Sequence, residues 1–250
     1  MRLKDKVAIV TGGSRDIGRA VSEKLALDGA RVVVNYCHDR GNADETIRAI
    51  ESAGGHALPV AADVTIRDQV EILFAETRAA FGDTVDIVVN NAGGLLARKS
   101  VAEMDEAFFD DVMAINLKST FLACKAAIPH LVEGSSIVNI ASIAGRDGGG
   151  PGAAVYATAK GAVMSFTRAL AKELGPGGIR VNCVCPGMIA TSYHDRFSSS
   201  DVRAKVAAST PLRREGTARE VADLVAYLAS AESSFINGAS IDINGGLLFS

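Results

Sequence analysis

The chain is poor in the residues that build metal sites and disulfide frameworks. Its four cysteines, Cys37, Cys124, Cys183 and Cys185, include no C-x-x-C pair, and its four histidines are scattered. That spacing argues against a bound metal. The thiols read as small core residues, and Cys183 and Cys185, two apart in an expected strand, share one face. Long apolar runs are missing too. Nothing approaches the roughly eighteen residues of a membrane span. Met1-Arg-Leu-Lys-Asp-Lys6 leads into a strand-like segment, with no stretch long enough for a signal peptide. A cytoplasmic protein with no membrane partner is expected. Charge is equally dispersed. The formal net charge is −3, without long blocks of one sign, and no basic stripe points to nucleic acid.

What is present is a core. With 48% hydrophobic residues over 250 positions, the chain has the composition of a globular protein. Short β-branched runs alternate with longer helical segments. Strands are expected at 7–10, 31–35, 57–61, 85–90, 136–140, 179–184 and 240–243. Helices are expected at 17–27, 44–53, 68–81, across much of 105–131 with a break near Asn116, and at 155–174 and 221–229. Ser100-Val-Ala-Glu103 and Thr217-Ala-Arg-Glu220 have capping-box form. Val- and Ile-rich strands separated by helices indicate an α/β fold, a parallel sheet covered on both faces. No interdomain linker or internal repeat interrupts the pattern. The one long irregular stretch, Met188–Thr210, reads as a lid or binding loop, or else as a surface excursion.

Chemistry collects at expected strand ends. The first strand runs into Thr11-Gly-Gly-Ser-Arg-Asp-Ile-Gly18, a glycine turn that lets backbone and a helix N-terminus approach a pyrophosphate. Asn90-Asn91-Ala92-Gly93 ends the fourth strand, and Pro186-Gly187-Met-Ile-Ala-Thr191 leaves the sixth. Ligands of open α/β sheets bind at the carboxyl ends of strands where strand order reverses; strands one and four would flank that point. Ser142 leaves the fifth strand, and Tyr156 and Lys160 stand four apart on one helix face. Alone, a Tyr/Lys pair is usually coincidence. A nearby ammonium nevertheless favours phenolate and makes a tyrosine usable as a proton carrier.

Together these residues resemble the classical short-chain dehydrogenase/reductase family, with Ala62-Asp63-Val64, Asn116 and Asn237-Gly238 falling in the same order. Val34-Asn35-Tyr36 and the tail Ile241–Gly246 resemble its 3-oxoacyl-thioester (acyl-carrier-protein) reductases. The resemblance implies one Rossmann-type catalytic domain over 1–250, a doubly wound parallel sheet of about seven strands. It implies Tyr156 as the acid in carbonyl reduction and the base in alcohol oxidation. Lys160 would tune Tyr156 and bond the nicotinamide ribose, Ser142 would hold the substrate oxygen, and Asn116 would hold a water linking Lys160 to solvent. Gly12, Ser14, Ile17 and Gly18 would line the phosphates and ribose, and Asp63 and Val64 the adenine. Asn90, Ala92 and Gly93 would run along the nicotinamide side, with Pro186, Gly187, Ile189 and Thr191 fixing its face. Two positions depart from the pattern. Asp16 stands where the family usually has glycine, and Ser142 lies one residue further from Tyr156 than is commonest, a length the glycines at 148–152 can absorb.

Tyr36, where NAD-using members carry Asp, and Arg15, a residue type that pairs with phosphate, point to NADP(H). Asp39 is the counter-signal, which Arg40 would neutralise, and NAD(H) stays open. The expected substrate is a small carbonyl or secondary alcohol, carrier-bound or free, in a pocket from 94–99, 143–155 and 188–210. Tyr193 and Phe197 would form an apolar lid, and Arg196 and Arg203 would face an acidic carrier. A sugar, polyol or steroid dehydrogenase is the alternative within the family, and a catalytically inactive cofactor-binding scaffold the alternative outside it. The resemblance also implies a homotetramer.

Overall fold

Residues Val7, Ile9 and Val33 are as buried as their strand neighbours Ala8, Val10 and Val32, because both faces of the sheet are covered. The computed structural model describes residues 1–249; the side chains of Tyr193 and His194 lie outside the described residues, and with them the Tyr193 half of the expected lid. In chain order the elements are β1 (Val7–Thr11), α1 (Asp16–Leu27), β2 (Arg31–Tyr36), α2 (Arg40–Ser52), β3 (His56–Ala61), α3 (Arg67–Phe81) and β4 (Ile87–Asn90). Then come α4 (Glu106–Met113), a π-helical turn (Ala114–Lys118), α5 (Ser119–Ala127), β5 (Ser136–Ile140), α6 (Ala144–Asp147), α7 (Ala154–Leu174) and β6 (Arg180–Pro186). The chain closes with β7 (Ile189–Ala190), α8 (Ser192–Phe197), α9 (Ser200–Ser209), β8 (Gly216–Thr217), α10 (Ala218–Ala229) and β9 (Ser240–Ile243).

Among the described residues, seven strands form one parallel sheet of order β3-β2-β1-β4-β5-β6-β9, and β7 pairs with β8 in a second, two-stranded sheet. Period-two alternation sends Ala8, Val10, Val32 and Val34 to the face packed by Val21, Leu25, Val221 and Val225. Ile9, Val33, Val88 and Ile137 go to the opposite face, against Leu73, Phe74, Leu122 and Leu170. Strand order reverses between β1 and β4, as expected, so a cleft opens beyond their carboxyl ends. No described helix is long and apolar enough to cross a membrane.

Three expectations need correction. Helix α2 begins at Arg40 rather than 44, because the Asp39 carboxylate accepts the Asn42 backbone N–H at 3.0 Å and caps it. The 100–103 capping box closes only a 3₁₀ turn; the helix proper starts at Glu106, with the Asp105 carboxylate accepting the Phe108 N–H at 2.8 Å. The stretch 188–210 is not irregular. It holds β7, α8 and α9, and Ser199 accepts the Val202 N–H to start α9. Helix α9 carries almost no apolar face and has no buried residue, so periodicity does not announce it.

Candidate active site

The glycine turn is shaped by its neighbours before any ligand is considered. Gly12 has φ +59°, a left-handed conformation that costs glycine little, and a Cβ on Gly18 would lie 2.1 Å from the Gly12 carbonyl oxygen. Three polar side chains missed in the sequence hold this turn. The Asn35 carboxamide accepts the Gly12 N–H at 3.1 Å and donates to the Ala62 carbonyl at 3.0 Å. Asn91 donates to the carbonyls of Thr11 and Gly12 at 3.1 and 3.0 Å. The Thr11 hydroxyl accepts the Ala92 N–H at 3.1 Å. The available signal was an amide at the end of each apolar run, since a buried polar side chain needs a partner. Arg15, at the N-cap of α1, makes no side-chain cap, so the first N–H groups of that helix lack intrahelical acceptors. A turn that lacks a Cβ at Gly12, Gly13 and Gly18, beside a helix N-terminus without a side-chain cap, fits a pyrophosphate. Ser14 is buried there, its carbonyl accepting from the Thr46 hydroxyl at 3.0 Å.

Beside the turn, Tyr36 is buried, and Arg40 donates to its hydroxyl at 3.3 Å with the guanidinium 5.9 Å from the ring centre. Arg15 is exposed. Arg40 pairs with Asp44 at 2.7 Å and not with Asp39; the Asp39 charge is taken up by the N-terminus of α2. Asp63 bonds the Thr65 N–H and hydroxyl at 2.9 and 2.7 Å, with Val64 buried next to it.

On the far side of the cleft, α7 carries Tyr156 and Lys160. The Lys160 ammonium lies 5.8 Å from the centre of the Tyr156 ring and donates to the Ile140 carbonyl at 2.8 Å. Burial lowers its pKa to about 8, with the neighbouring Cys183 and Cys185 opposing the shift. Helix α7 is registered against the sheet by a buried relay. Asn90 donates to Asn139 at 2.8 Å, Asn139 to the Thr167 hydroxyl at 2.8 Å, and Thr167 to the Val163 carbonyl. Close backbone contact fixes α7 from the other direction, since a Cβ on Gly145 would stand 2.7 Å from the Gly161 nitrogen.

Asn116 explains the break in its helix. Its amide donates to the Val112 carbonyl at 2.8 Å, replacing a backbone bond inside the π turn. The same side chain donates to the Gly94 carbonyl at 2.8 Å and accepts the Gly94 N–H at 3.0 Å. Gly93 is therefore drawn against both Asn116 and Lys160; a Cβ on it would sit 2.7 Å from Asn116 Oδ1 and 2.9 Å from Lys160 Nζ. Ser142 follows β5 two residues after Ile140, and its Oγ accepts the Ala144 N–H at 3.1 Å, leaving its O–H to donate elsewhere. Ile143 donates to the Pro186 carbonyl at 3.0 Å, joining the Ser142 turn to the Pro186–Gly187 turn. Ile189 is buried, and Thr191 donates to the Ile189 carbonyl at 3.1 Å.

The carrier-facing expectation for Arg203 fails. Arg203 grips Glu215 through two 2.7 Å bonds and also pairs with Asp195, which raises its pKa and commits its charge within the fold. Arg196 stacks over Phe197 at 5.1 Å.

Residues 12–248 match the family model described as enoyl-(acyl carrier protein) reductase. The chain is 39% identical to the (3R)-3-hydroxyacyl-CoA dehydrogenase of Mus musculus, over 99% of this chain and 98% of the relative. It is 35% identical to the 3-oxoacyl-[acyl-carrier-protein] reductase of Staphylococcus aureus (strain Mu50), over 97% and 98%. A short-chain dehydrogenase/reductase from Serratia marcescens superposes with a TM-score of 0.93 at 34% identity, covering 99% of each chain. An NADH-dependent reductase responsible for alginate metabolism does so with a TM-score of 0.91 at 34% identity, again over 99% of each. Sheet order, glycine turn and sequence kinship agree: the chain belongs to the short-chain dehydrogenase/reductase family, oxidoreductases of CH–OH and carbonyl groups that use a nicotinamide cofactor.

Proposed function

We propose that the protein reduces the ketone of a 3-oxoacyl thioester, or a closely related ketone, reversibly and with NADP(H), as one catalytic domain closed by the 188–210 segment. The observation that carries this reading is Lys160, buried 5.8 Å from the Tyr156 ring and against Gly93 and Asn116 at the strand-order reversal. A reduced nicotinamide supplies the hydride for the carbonyl carbon.

The residues of the chain manage the oxygen and its proton. The free O–H of Ser142 donates to the carbonyl oxygen, where negative charge grows. Tyr156 gives its phenolic proton to that oxygen, and takes it back in alcohol oxidation. The Lys160 ammonium stabilises the phenolate left behind. Asn116 has its side-chain amide committed to Gly94 and Val112, so a water resupplying the proton is held by its main-chain carbonyl, which also accepts from the Thr120 hydroxyl at 3.2 Å. The thioester class is supported by kinship with the hydroxyacyl-CoA dehydrogenase and oxoacyl reductase. Leu95, buried in the segment that follows β4, supplies apolar wall.

NADP(H) is supported by exposed Arg15, by Arg40 against Tyr36, and by an Asp39 carboxylate turned into its own helix. Likeness to an NADH-dependent reductase favours the second reading, NAD(H). Exposed Phe109 and Phe121 support association, as in a homotetramer.

Steady-state kinetics with 3-oxoacyl thioesters and both cofactors test the proposal. Turnover with a higher kcat/KM for NADPH is expected, falling about tenfold in Arg15→Ala on the scale of one charge-assisted bond. Preference for NADH would overturn the cofactor assignment. Cofactor binding without turnover across a broad ketone and alcohol panel would favour a scaffold.

A further inference from the structure

Asp16 occupies a backbone conformation that suits glycine, with φ +51°. Aspartate tolerates this region better than most side chains, at some cost. The carboxylate does not point back onto its own turn. It reaches across the cleft to the start of α8, where Oδ1 accepts the Ser192 backbone N–H at 2.8 Å and Oδ2 accepts the Ser192 hydroxyl at 2.6 Å. Both bonds are charge-assisted, and hence stronger than neutral ones. The partners are 176 residues apart. In effect the cofactor turn supplies the N-cap of a helix in another part of the chain. The other end of α8 is also tied, because Arg98 Nε donates to the Phe197 carbonyl at 3.2 Å and its Nη1 to the Pro151 carbonyl at 2.9 Å. Helix α8 follows Ile189 and Thr191 directly.

We infer that Asp16 is a positioning residue. Its bonds to Ser192 hold the segment 189–197 in its closed place over the cleft before cofactor or substrate arrives, so that the phosphate-binding turn and the substrate-covering helix move as one unit. The inference builds on the proposed function for the identity of the cleft, but the latch is a property of the ligand-free chain. A glycine at this position relaxes the backbone and leaves the fold intact while cutting the tie, which makes Asp16→Gly a clean probe.

Hydrogen exchange of the ligand-free protein reads the latch without any turnover. In Asp16→Gly, amides of 189–197 should exchange about tenfold faster or more, the scale of losing one or two charged hydrogen bonds, with the sheet unchanged. Asp16→Asn, which keeps an acceptor for the Ser192 N–H, should restore most of the protection. Ser192→Ala should give a partial effect, and the double variant no more than Asp16→Gly alone, because the two residues share one interaction. In steady state, Asp16→Gly should raise KM for the carbonyl substrate about five- to tenfold with kcat changed less, on the same scale, while the reduced cofactor binds as well or better once a carboxylate beside the pyrophosphate turn is gone. Wild-type exchange over 189–197 in Asp16→Gly, or independent and additive effects of the two substitutions, would overturn the latch. Turnover persisting in Tyr156→Phe would sink the proposed function and leave the exchange result standing.

Discussion

The Lys160 ammonium lies 5.8 Å from the centre of the Tyr156 ring while donating to the carbonyl of Ile140, the last residue of β5. One bond anchors the cation to the sheet edge, and the ring contact puts its charge where a phenol must ionise. Both residues sit on α7, so the i, i+4 spacing of a helix sets their separation. The sheet sets their depth.

Lys160 should leave a signature in pH dependence. Its folded pKa is about 8, against an ordinary value of 10.5, so between those values the unfolded chain holds more protons than the folded one. Stability from this site therefore rises as pH climbs through that window. In Lys160→Met that contribution should vanish, seen as a wild-type-minus-variant difference in urea midpoint that grows with pH over the same range. The charged form also fades above about 8, so kcat/KM for ketone reduction should fall there in the wild type. A wild-type-minus-variant stability difference that does not change across the window would contradict the burial argument.

Asn116→Ala should cost both stability and rate. It strands the Gly94 N–H and carbonyl, which now bond Asn116 at 3.0 and 2.8 Å, for about 1–3 kcal/mol. It also releases Gly93 from its place beside Lys160. Thermal unfolding and kcat measured on one preparation check this, and a variant with normal kcat would show that the Gly93–Gly94 loop holds itself.

Gly145→Ala tests the seat of α7. The added methyl would meet the Gly161 nitrogen at 2.7 Å and the Lys160 carbonyl carbon at 2.8 Å. Overpacking of this kind costs about 1–3 kcal/mol, and relief by a shift of α7 would move Lys160. A lowered unfolding midpoint with a larger fractional loss of kcat than of cofactor affinity is expected. Gly148→Ala is a contrasting case, since no atom lies within 4 Å of a Cβ there and its positive φ alone should set the cost.

Much of this architecture was readable from residue order. Short Val/Ile runs announce strands buried on both faces, and β5 and β9 fall at the expected residues because turn-forming residues bracket them. Tyr156, Lys160, Ser142 and Asn116 were visible as motif positions. What escaped has a common cause: it depends on partners distant in sequence. Asn35 looks like the polar end of a strand until Gly12 and Ala62 come to it. Asp16 looks like a charge misplaced beside a phosphate turn until Ser192 arrives from the other end of the chain. Arg203 looks like a free surface cation until Glu215 and Asp195 are seen to hold it. Helix α9 has weak periodicity, so its Ser199 cap rather than an apolar stripe defines it, and α8, at six residues, is too short for a periodic signal.

The decisive experiment is oxidation of reduced nicotinamide by a 3-oxoacyl thioester, followed at the absorbance band of the reduced cofactor, in the wild type and in Tyr156→Phe. Loss of a positioned general acid is worth roughly 10²–10⁴ in rate, so kcat/KM should fall by that factor in the variant while the cofactor dissociation constant stays within about threefold, because the aromatic body of the side chain is retained. A Tyr156→Phe enzyme with near-normal turnover would show that the proton comes from elsewhere and that the Tyr156–Lys160 pair is not the catalytic centre.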